Sequence, residues 1–533
     1  MSAPAAVTGA PRLLRASLHH EARSFAPWIA IVTALSASSV LVYPWVFPTQ
    51  ADREGLATLV GSNPALGLIF GPAFDLSTAD GFNAWRALAL GGLFTALGAI
   101  FVVTRATRGQ EDSGQAELLA SGVLGRSSRL LTAVAMGLVM SVVVGVVSFL
   151  VAWACGGGVE STALLSATFT ATGWMGTGIA AVTSQLGAEA RASSSLAVAT
   201  FGTLFILRGF AYSVEAADWA IWINPLAWMT ETKPSVDNSW APLGLAVALT
   251  AVTLAVAFVL QSRRDFGQGA IAPAPGPARG RTRSPFALAL RLNRGSLIAW
   301  AVGFGVLGTV FGYFTTAITD LLSADEGIAQ ILAAGATTPE DLFGAFLATI
   351  ISLVGIISSI ACVQMVLRVR KEEMEDRVEP LIATPVSRPR YYAAHVGVAL
   401  LAAPVFLTIA GLVIASFASG ADIGVTFGEA LGQALVTVPA VWTVVAVSIA
   451  VVGARPRLAI AAWAGVVISF ALTLLGPTFG LDDWVLGISP YYHVPHLATS
   501  AYSWGGLAVV ALVGALLCGV GFRGFRHRDL ATS

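Results

Sequence analysis

The sequence predicts an all-α integral membrane protein of about 12 transmembrane helices, arranged as two parallel six-helix repeats. Only 11% of its 533 residues are charged, whereas a soluble domain carries about 25%. Apolar stretches of about 20 residues, long enough to cross a hydrocarbon core of ~30 Å, recur along the whole chain. Several unrelated short motifs also occur twice, 262 to 265 residues apart.

The apolar stretches must form helices, because lipid offers no partners for backbone groups that a helix would otherwise pair internally. The first six predicted spans lie near 27–47, 84–104, 130–154, 163–183, 193–214 and 241–260. The second six lie near 296–318, 342–367, 393–419, 429–453, 458–478 and 502–522. The predicted domains are a first half (1–262), a cytoplasmic Pro/Ala/Arg-rich linker (263–285) and a second half (286–533).

The basic residues predict the orientation of the chain. With a cytoplasmic N-terminus, 26 of the 30 basic residues lie in inner loops or termini, as the positive-inside rule requires. The outer side keeps Arg53, Arg86 and Lys233. Arg208, near the outer end of the fifth span, is the one clear charge within the membrane and could snorkel outward. Two lysines against 28 arginines, with abundant Ala, Gly and Val, suggest a GC-rich bacterium. We therefore expect a multi-pass protein of the bacterial cytoplasmic membrane with both termini cytoplasmic.

Repeated motifs indicate that the two halves share one design. The matching segments are 117–126 with 379–388, Asn224-Pro225 with Ser489-Pro490, and Arg264-Asp265 with Arg528-Asp529. Because six spans separate the two copies of each motif, both halves have the same orientation. This pattern is typical of a parallel repeat related by an axis along the membrane normal.

The inner loop after the second span of each half is the most informative segment. In 105–129 and in 368–390, a charged stretch precedes a glutamate, a short apolar run and an arginine. A short amphipathic helix with a charged rim suits docking into a groove on a soluble partner. An ordinary solvated loop is the alternative, and the duplication disfavours it. The candidate docking residues are Glu111, Glu117 and Arg126 in the first half and Glu373, Glu379 and Arg388 in the second.

The segment 370–388 resembles the coupling loop of permease subunits of ABC-2 type exporters, and the layout of nearly the whole chain is similar to actinobacterial permeases for polyketide antibiotics, tetronasin or multiple drugs. The first loop departs from the second at three positions, where Gln110, Gly122 and Leu124 stand for Glu372, Thr384 and Val386. The resemblance implies that each loop docks one of two copies of a separately encoded ABC ATPase. It also implies efflux of antibiotics or other drugs.

The chain carries no motif for hydrolysing ATP itself. A P-loop needs Gly-Lys followed by Ser or Thr, because the lysine must reach the β- and γ-phosphates. Lys233 precedes proline, however, and Lys371 precedes glutamate. We therefore expect no catalytic residue, no metal and no cofactor on this chain, and ATP with Mg²⁺ only on the partner ATPase.

Two other classes of function stay open. Six-plus-six helices also describe ion-coupled secondary carriers of the major-facilitator kind, although such carriers usually bury a carboxylate or histidine within the membrane as a relay. In the predicted topology the acidic residues lie in loops or at span ends, which argues against proton coupling. The third class is a membrane scaffold or enzyme subunit that transports nothing. Copurification of an ATPase would discriminate among the three.

The cargo path is expected by resemblance between the halves, lined by the second and fifth spans of each. An aromatic cavity would suit hydrophobic or amphipathic cargo, and we expect membrane lipid but no nucleic acid as a further contact. The candidate lining residues are Phe82, Trp85, Phe94, Phe201, Phe205, Phe343, Phe346, Trp463 and Phe470. Two short Pro-interrupted aromatic segments, 219–229 and 484–492, are predicted as interfacial or re-entrant outer helices.

Overall fold

The computed structural model describes a helical chain, with no strand among the described residues. These residues are 8–61, 67, 69–120, 124–214, 216–264, 269–271, 282, 284–324, 339–420, 425–475, 482–497 and 503–530. The prediction of an all-α membrane protein is confirmed. The chain divides into two compact units, Met1–Gly276 and Pro277–Ser533. The finer division at 262 and 286 stays a prediction.

The first unit contains six long helices and several short ones. In chain order its helices are α1 (Ala10–Glu21), α2 (Ala26–Val46), α3 (Gln50–Gly61), α4 (Ala79–Thr104), α5 (Gln115–Ala120), α6 (Ser128–Ala154), α7 (Val159–Leu186), α8 (Ala190–Ser213), α9 (Asp218–Ile223), α10 (Pro225–Thr230) and α11 (Ala241–Arg263). Helix α4 begins where the Thr78 hydroxyl accepts a hydrogen bond from Gly81 N, an N-cap that satisfies one free amide.

Helix α7 is the centre of the first unit and packs against α4, α6, α8 and α11. Six threonines, three serines and three glycines among its 28 residues allow close approach of neighbouring helices. A Cβ at Gly176 would lie 2.9 Å from the Cα of Ala96 in α4. Five of the six threonine hydroxyls donate to carbonyls of the helix itself, as where Thr172 donates to the carbonyl of Thr168 over 2.7 Å.

The number of spans is confirmed only in part. Eleven helices of the described chain are long and apolar enough to cross a membrane. The remaining predicted span, 163–183, corresponds to α7, whose threonines and serines lower its hydropathy and whose surface is mostly covered by protein. The count of twelve and the parallel arrangement of the repeats therefore stay predictions.

The second unit also consists of long helices, two of them interrupted. Its helices are α12 (Pro285–Ala324), α13 (Pro339–Met374), α14 (Glu379–Ile382), α15 (Arg388–Gly420), α16 (Phe427–Val436), α17 (Val438–Ala454), α18 (Ala464–Phe470), α19 (Asp483–Leu486) and α20 (Gly505–His527). The predicted span 429–453 breaks at Thr437, because Pro439 starts a new helix within its first turn. The span 458–478 starts as a tight helix over Pro456–Trp463, with non-helical torsion angles at Leu458, before α18.

Short helices appear at the two segments for which interfacial or re-entrant helices were predicted. In the first unit Asn224 separates α9 from α10: its side chain accepts a hydrogen bond from Leu226 N and donates one to the carbonyl of Leu204. In the second unit α19 is followed by a single tight turn over Pro490–His493. The buried Tyr491 hydroxyl in this turn lies 2.8 Å from Ser359 Oγ of α13. Both segments are therefore fixed to the long helices of their own unit.

Arg208 does not reach water. It is buried in the first unit, with 2% of the residue exposed. Its Nη2 donates to the carbonyl of Ile69 over 2.8 Å, and its guanidinium lies 4.8 Å from the ring centroid of Phe205. The preceding outer segment folds over the helix end and gives the guanidinium a protein partner, so the side chain need not reach water.

Candidate functional site

The loop of the first unit starts as a continuation of α4. The helix widens over Arg105–Gly109, continues to Asp112 and then turns at Gly114 into α5. Gly114 has φ +75°, a left-handed conformation that glycine adopts without steric cost. Widened helical turns of this kind are frequent at functional sites. The turn places Glu111 toward the interior of the unit while α5 lies at its surface.

Glu111 is the centre of a buried ionic cluster. Its side chain is 7% exposed and accepts hydrogen bonds from Arg108 at 2.7 Å, Arg129 at 3.3 Å and Arg264 at 3.0 Å. These three arginines come from the helix that precedes the loop, from the helix that follows it and from the residue just after α11. Charge-assisted hydrogen bonds of this kind are stronger than neutral ones, so Glu111 links three segments of the unit.

Arg126 completes this link to the last helix of the unit. Its Nη2 donates to the carbonyl of Arg264 over 2.8 Å, and its own carbonyl accepts a hydrogen bond from Gln261 of α11 over 3.0 Å. We call the set Glu111, Arg126 and Arg264 the first clamp. The first clamp attaches both ends of the loop to the end of α11.

The second unit contains the same arrangement. Glu373 lies near the end of α13 with its side chain 0% exposed, and Arg528 Nη2 donates to it over 2.5 Å. Arg388 Nη1 donates to the carbonyl of Arg528 over 3.0 Å, and Arg528 Nε donates to the carbonyl of Gly453 over 2.9 Å. We call Glu373, Arg388 and Arg528 the second clamp. It attaches the second loop to the chain just after α20.

The two clamps use residues at matching positions. Glu373 and Arg388 each follow their first-unit counterparts by 262 residues, and Arg528 follows its counterpart by 264. Sequence reasoning selected the glutamates and the loop arginines as docking residues, and treated Arg264 and Arg528 only as markers of the repeat. The signal that could have revealed the clamps is this common spacing. When a glutamate, a loop arginine and a terminal arginine are duplicated together, they are candidates for one ionic cluster.

Glu117 and Glu379 have a different environment from the clamp glutamates. Both are exposed, on the short helices α5 and α14, and neither forms a salt bridge within the described part of the chain. Leu118 beside Glu117 is exposed as well. Of the six candidate docking residues, these two glutamates are thus the most available to a partner, whereas Glu111 and Glu373 are occupied within the fold.

The second loop carries an additional buried carboxylate. Glu372 accepts hydrogen bonds from Arg368 at 3.0 Å and from the Tyr391 hydroxyl at 2.9 Å, and His395 Nε2 lies 3.6 Å away. The first loop has Gln110 at the corresponding position. The two loops therefore share a clamp but differ in the polar groups around it.

The predicted cargo-path aromatics lie in several separate environments. Phe82 and Trp85 belong to a cluster with Tyr43, Phe47 and Phe70 near the start of α4. The side chains of Phe94, Phe201 and Phe205 pack in the core of the first unit, and those of Phe346 and Trp463 pack against the core of the second. Phe470 is exposed, and the side chain of Phe343 lies outside the described part. Their role as a cargo path stays a prediction.

This chain is a multi-helix membrane protein with duplicated charged loops. Comparison with known proteins assigns it to the class of transporter permeases. Residues 52–232 match the family of ABC-2 type transporters, and residues 283–526 match the C-terminal domain of the multidrug efflux system permease Rv1217c. The multidrug efflux system permease protein Rv1217c of Mycobacterium tuberculosis is 32% identical over 533 residues, 98% of this chain and 95% of that protein. The chain is therefore a member of the ABC-2 type permease family, of which Rv1217c is a similar relative.

Proposed function

We propose that this chain exports hydrophobic or amphipathic compounds across the bacterial cytoplasmic membrane, and that two copies of a separately encoded ABC ATPase drive it from the cytoplasmic side. The observation that carries the proposal is the form of each loop. In each loop an exposed glutamate on a short helix lies next to a buried clamp. A partner that binds this glutamate is therefore connected through the clamp to the last helix of the unit.

The clamps supply a mechanical route for the proposed coupling. Docking at Glu117 or Glu379 moves α5 or α14, and the clamps transfer the displacement to the ends of α11 and α20. Packed helices and ionic networks transmit such displacements because they have few alternative arrangements. ATP binding on the partner would then shift the helices between inward-open and outward-open states, and both chain termini would be cytoplasmic.

The proposed cargo class rests on the relative and on the family. The name of the Mycobacterium tuberculosis relative describes multidrug efflux. The aromatic clusters of each unit offer apolar surface of the kind that binds drug-like compounds. We propose antibiotics and similar amphipathic drugs as cargo, with Phe82, Trp85, Phe205 and Phe346 as the first residues to test.

The position of the carboxylates argues against the ion-coupled carrier. In the described helices Glu111, Glu372 and Glu373 lie near the loop ends of their helices, and each is held by at least one arginine. A proton relay needs a carboxylate that can exchange a proton during transport, whereas each of these three carboxylates is hydrogen-bonded to an arginine. These residues are therefore better suited to holding structure than to carrying protons.

The test uses the full chain coexpressed with its ABC ATPase. In the variant Glu117→Lys with Glu379→Lys, we expect recovery of the ATPase with the chain to fall at least about tenfold, along with drug-stimulated ATP hydrolysis, because like charges across an interface cost several kcal/mol. Glu54→Lys, an exposed charge reversal on α3 of the expected outer side, is the matched control. Full recovery of the ATPase with the double variant would show that these helices do not dock it. Drug transport into vesicles without nucleotide would instead establish the carrier.

A further inference from the structure

Part of the surface of α4 is not covered by the rest of the protein, and Arg86 is the one charged residue on it between Phe82 and Phe101. The side chains of this stretch that are not buried recur mostly at intervals of three or four residues, so they share one face of the helix. Besides Arg86, they are Phe82, Leu90, Leu93, Phe94, Leu97 and Phe101. A single cation therefore lies in an apolar stripe on a helix that is long enough to cross a membrane.

The guanidinium of Arg86 has one neutral partner. Its Nη1 donates to Ser39 Oγ of α2 over 3.3 Å, and within the described residues it forms no other hydrogen bond and no salt bridge. Nε and Nη2 have no protein partner and are not among the buried polar atoms, so both keep accessible surface. The carboxylate closest in sequence, that of Asp80, instead accepts hydrogen bonds from Gly158 N and Ser161 Oγ. The charge of Arg86 is therefore uncompensated and within reach of a ligand.

The position of Arg86 along α4 makes this charge costly. Arg86 follows Ala79, the first residue of the helix, by seven residues, which is roughly 10 Å along the helix axis. One turn nearer the start, the ring of Phe82 packs against those of Tyr43 and Phe47, with centroids 5.4 and 5.8 Å apart. On this face, rings therefore lie between Arg86 and the helix end that the proposed topology places outside. Ionisable residues at such positions mark binding sites or transport pathways by default.

The second unit has the same face without the charge. The side chains of α13 that are not buried follow the pattern of α4 at a spacing of 263 residues, with Thr349 in the place of Arg86. This spacing also matches Leu90, Phe94 and Leu97 with Leu353, Ile357 and Ile360. The cation is therefore a feature of the first unit alone, and the fold of such a unit does not require it.

We propose that this face of α4 binds amphipathic organic acids, with Arg86 pairing with the carboxylate and the apolar stripe contacting the hydrocarbon body. The inference rests on the proposed export function and narrows its cargo to compounds that carry an anionic group. Arginine binds a carboxylate through two parallel hydrogen bonds, and Nε and Nη2 lie on the same edge of the guanidinium. A neutral compound of the same size would gain nothing from this pairing.

The test compares two fluorescent probes, dansylaminoundecanoic acid and its methyl ester, which share a hydrocarbon body and differ by one charge. Saturable binding of each is measured on the full chain in phosphatidylcholine nanodiscs, above the pKa of the carboxyl group, with empty nanodiscs subtracted. We expect the acid to bind at least about tenfold more tightly, because hydrogen bonds to charged groups are the stronger ones. Equal affinity overturns the proposal. No ATPase is needed: acid-selective binding without ATP-dependent export contradicts only the proposed function, and export without acid selectivity contradicts only this site.

Variants separate the charge of Arg86 from its contact with α2. Arg86→Gln should weaken binding of the acid at least about tenfold and leave binding of the ester unchanged, which also shows that the variant is folded. Arg86→Lys keeps the charge and should keep most of the preference. Ser39→Ala removes only the hydrogen bond and should keep it entirely, whereas a purely structural role would make this variant resemble Arg86→Gln.

Arg105→Gln is the matched control, because Arg105 is an exposed arginine on the same face at the other end of the helix. The proposal is overturned if Arg86→Gln keeps the preference for the acid, or if Arg105→Gln loses it to the same extent. Phosphatidylglycerol and oleate are then compared as competitors of the acid probe on the wild type. If phosphatidylglycerol competes as strongly as oleate, Arg86 binds a lipid headgroup and the assignment to cargo is overturned.

Discussion

The replacement Arg528→Gln tests the second clamp most directly. It removes the donor that lies 2.5 Å from Glu373, and leaves that fully buried carboxylate with Arg370 at 3.9 Å. Removing one partner of a buried ion pair costs about 3–5 kcal/mol, mainly because the other charge stays buried without compensation. The lower value corresponds to roughly a hundredfold increase in local opening. The loss is local, because Arg528 contacts only neighbouring segments: the loop, the end of α20 and the end of α17.

The suitable assay is hydrogen exchange, measured over residues 520–530 and over α14. It reports local opening directly, whereas global unfolding of a membrane protein is often irreversible. We expect faster exchange in both segments and unchanged exchange in α16, whose residues Arg528 does not contact. Arg526→Gln, an exposed change two residues earlier, should leave exchange unaffected. Adding Glu373→Gln to Arg528→Gln should restore part of the protection, because the double variant no longer buries a carboxylate that has lost its closest basic partner. Unchanged exchange with Arg528→Gln alone would refute the clamp.

Two further changes test the packing of each unit. Gly176→Leu should destabilise the first unit by about 1–3 kcal/mol, because the new Cβ would meet the backbone of Ala96. Gly202→Leu is the control and should be tolerated, since a Cβ there has no atom within 4 Å. The yield and the thermal unfolding of the two variants are compared directly. Tyr491→Phe removes the hydrogen bond with Ser359 and should cost about 1 kcal/mol, which corresponds to a fall of about 1–2 °C in Tm for a chain of this size. An unchanged Tm would mean that this hydroxyl does not hold the short turn.

Hydropathy was sufficient to place the helices, because the membrane imposes the same requirement on every span. It placed even α7, as the span 163–183, although the threonines and serines of this helix make its composition resemble that of a more polar segment. It did not reveal that Arg208 is buried, because the apolar character of a helix does not say which side an adjoining segment covers. Proline explains the break at Thr437, yet a proline within an apolar run is compatible with either a continuous or a divided helix.

The candidate site could be located from the sequence but not resolved into roles. The glutamates at 111 and 117 stand six residues apart in the same charged loop, and nothing local separates a buried clamp from an exposed docking residue. The distinction depends on Arg264, which is 153 residues from Glu111 in the chain. Pairs at such separation are set by tertiary packing. The sequence repeat indicates this pairing, because the terminal arginine and the loop glutamate are both duplicated at nearly the same offset.

The difference between the halves bears on how the proposed exporter works. The second clamp is surrounded by stacked rings and by the additional carboxylate of Glu372, and rings in contact leave little freedom for displacement. The first clamp instead borders a cavity, with Arg129, Leu130 and Gln261 at the positions of those rings. If two ATPase copies drive the proposed exporter, the same load should displace the first loop further than the second, because the surroundings of the second clamp are more closely packed.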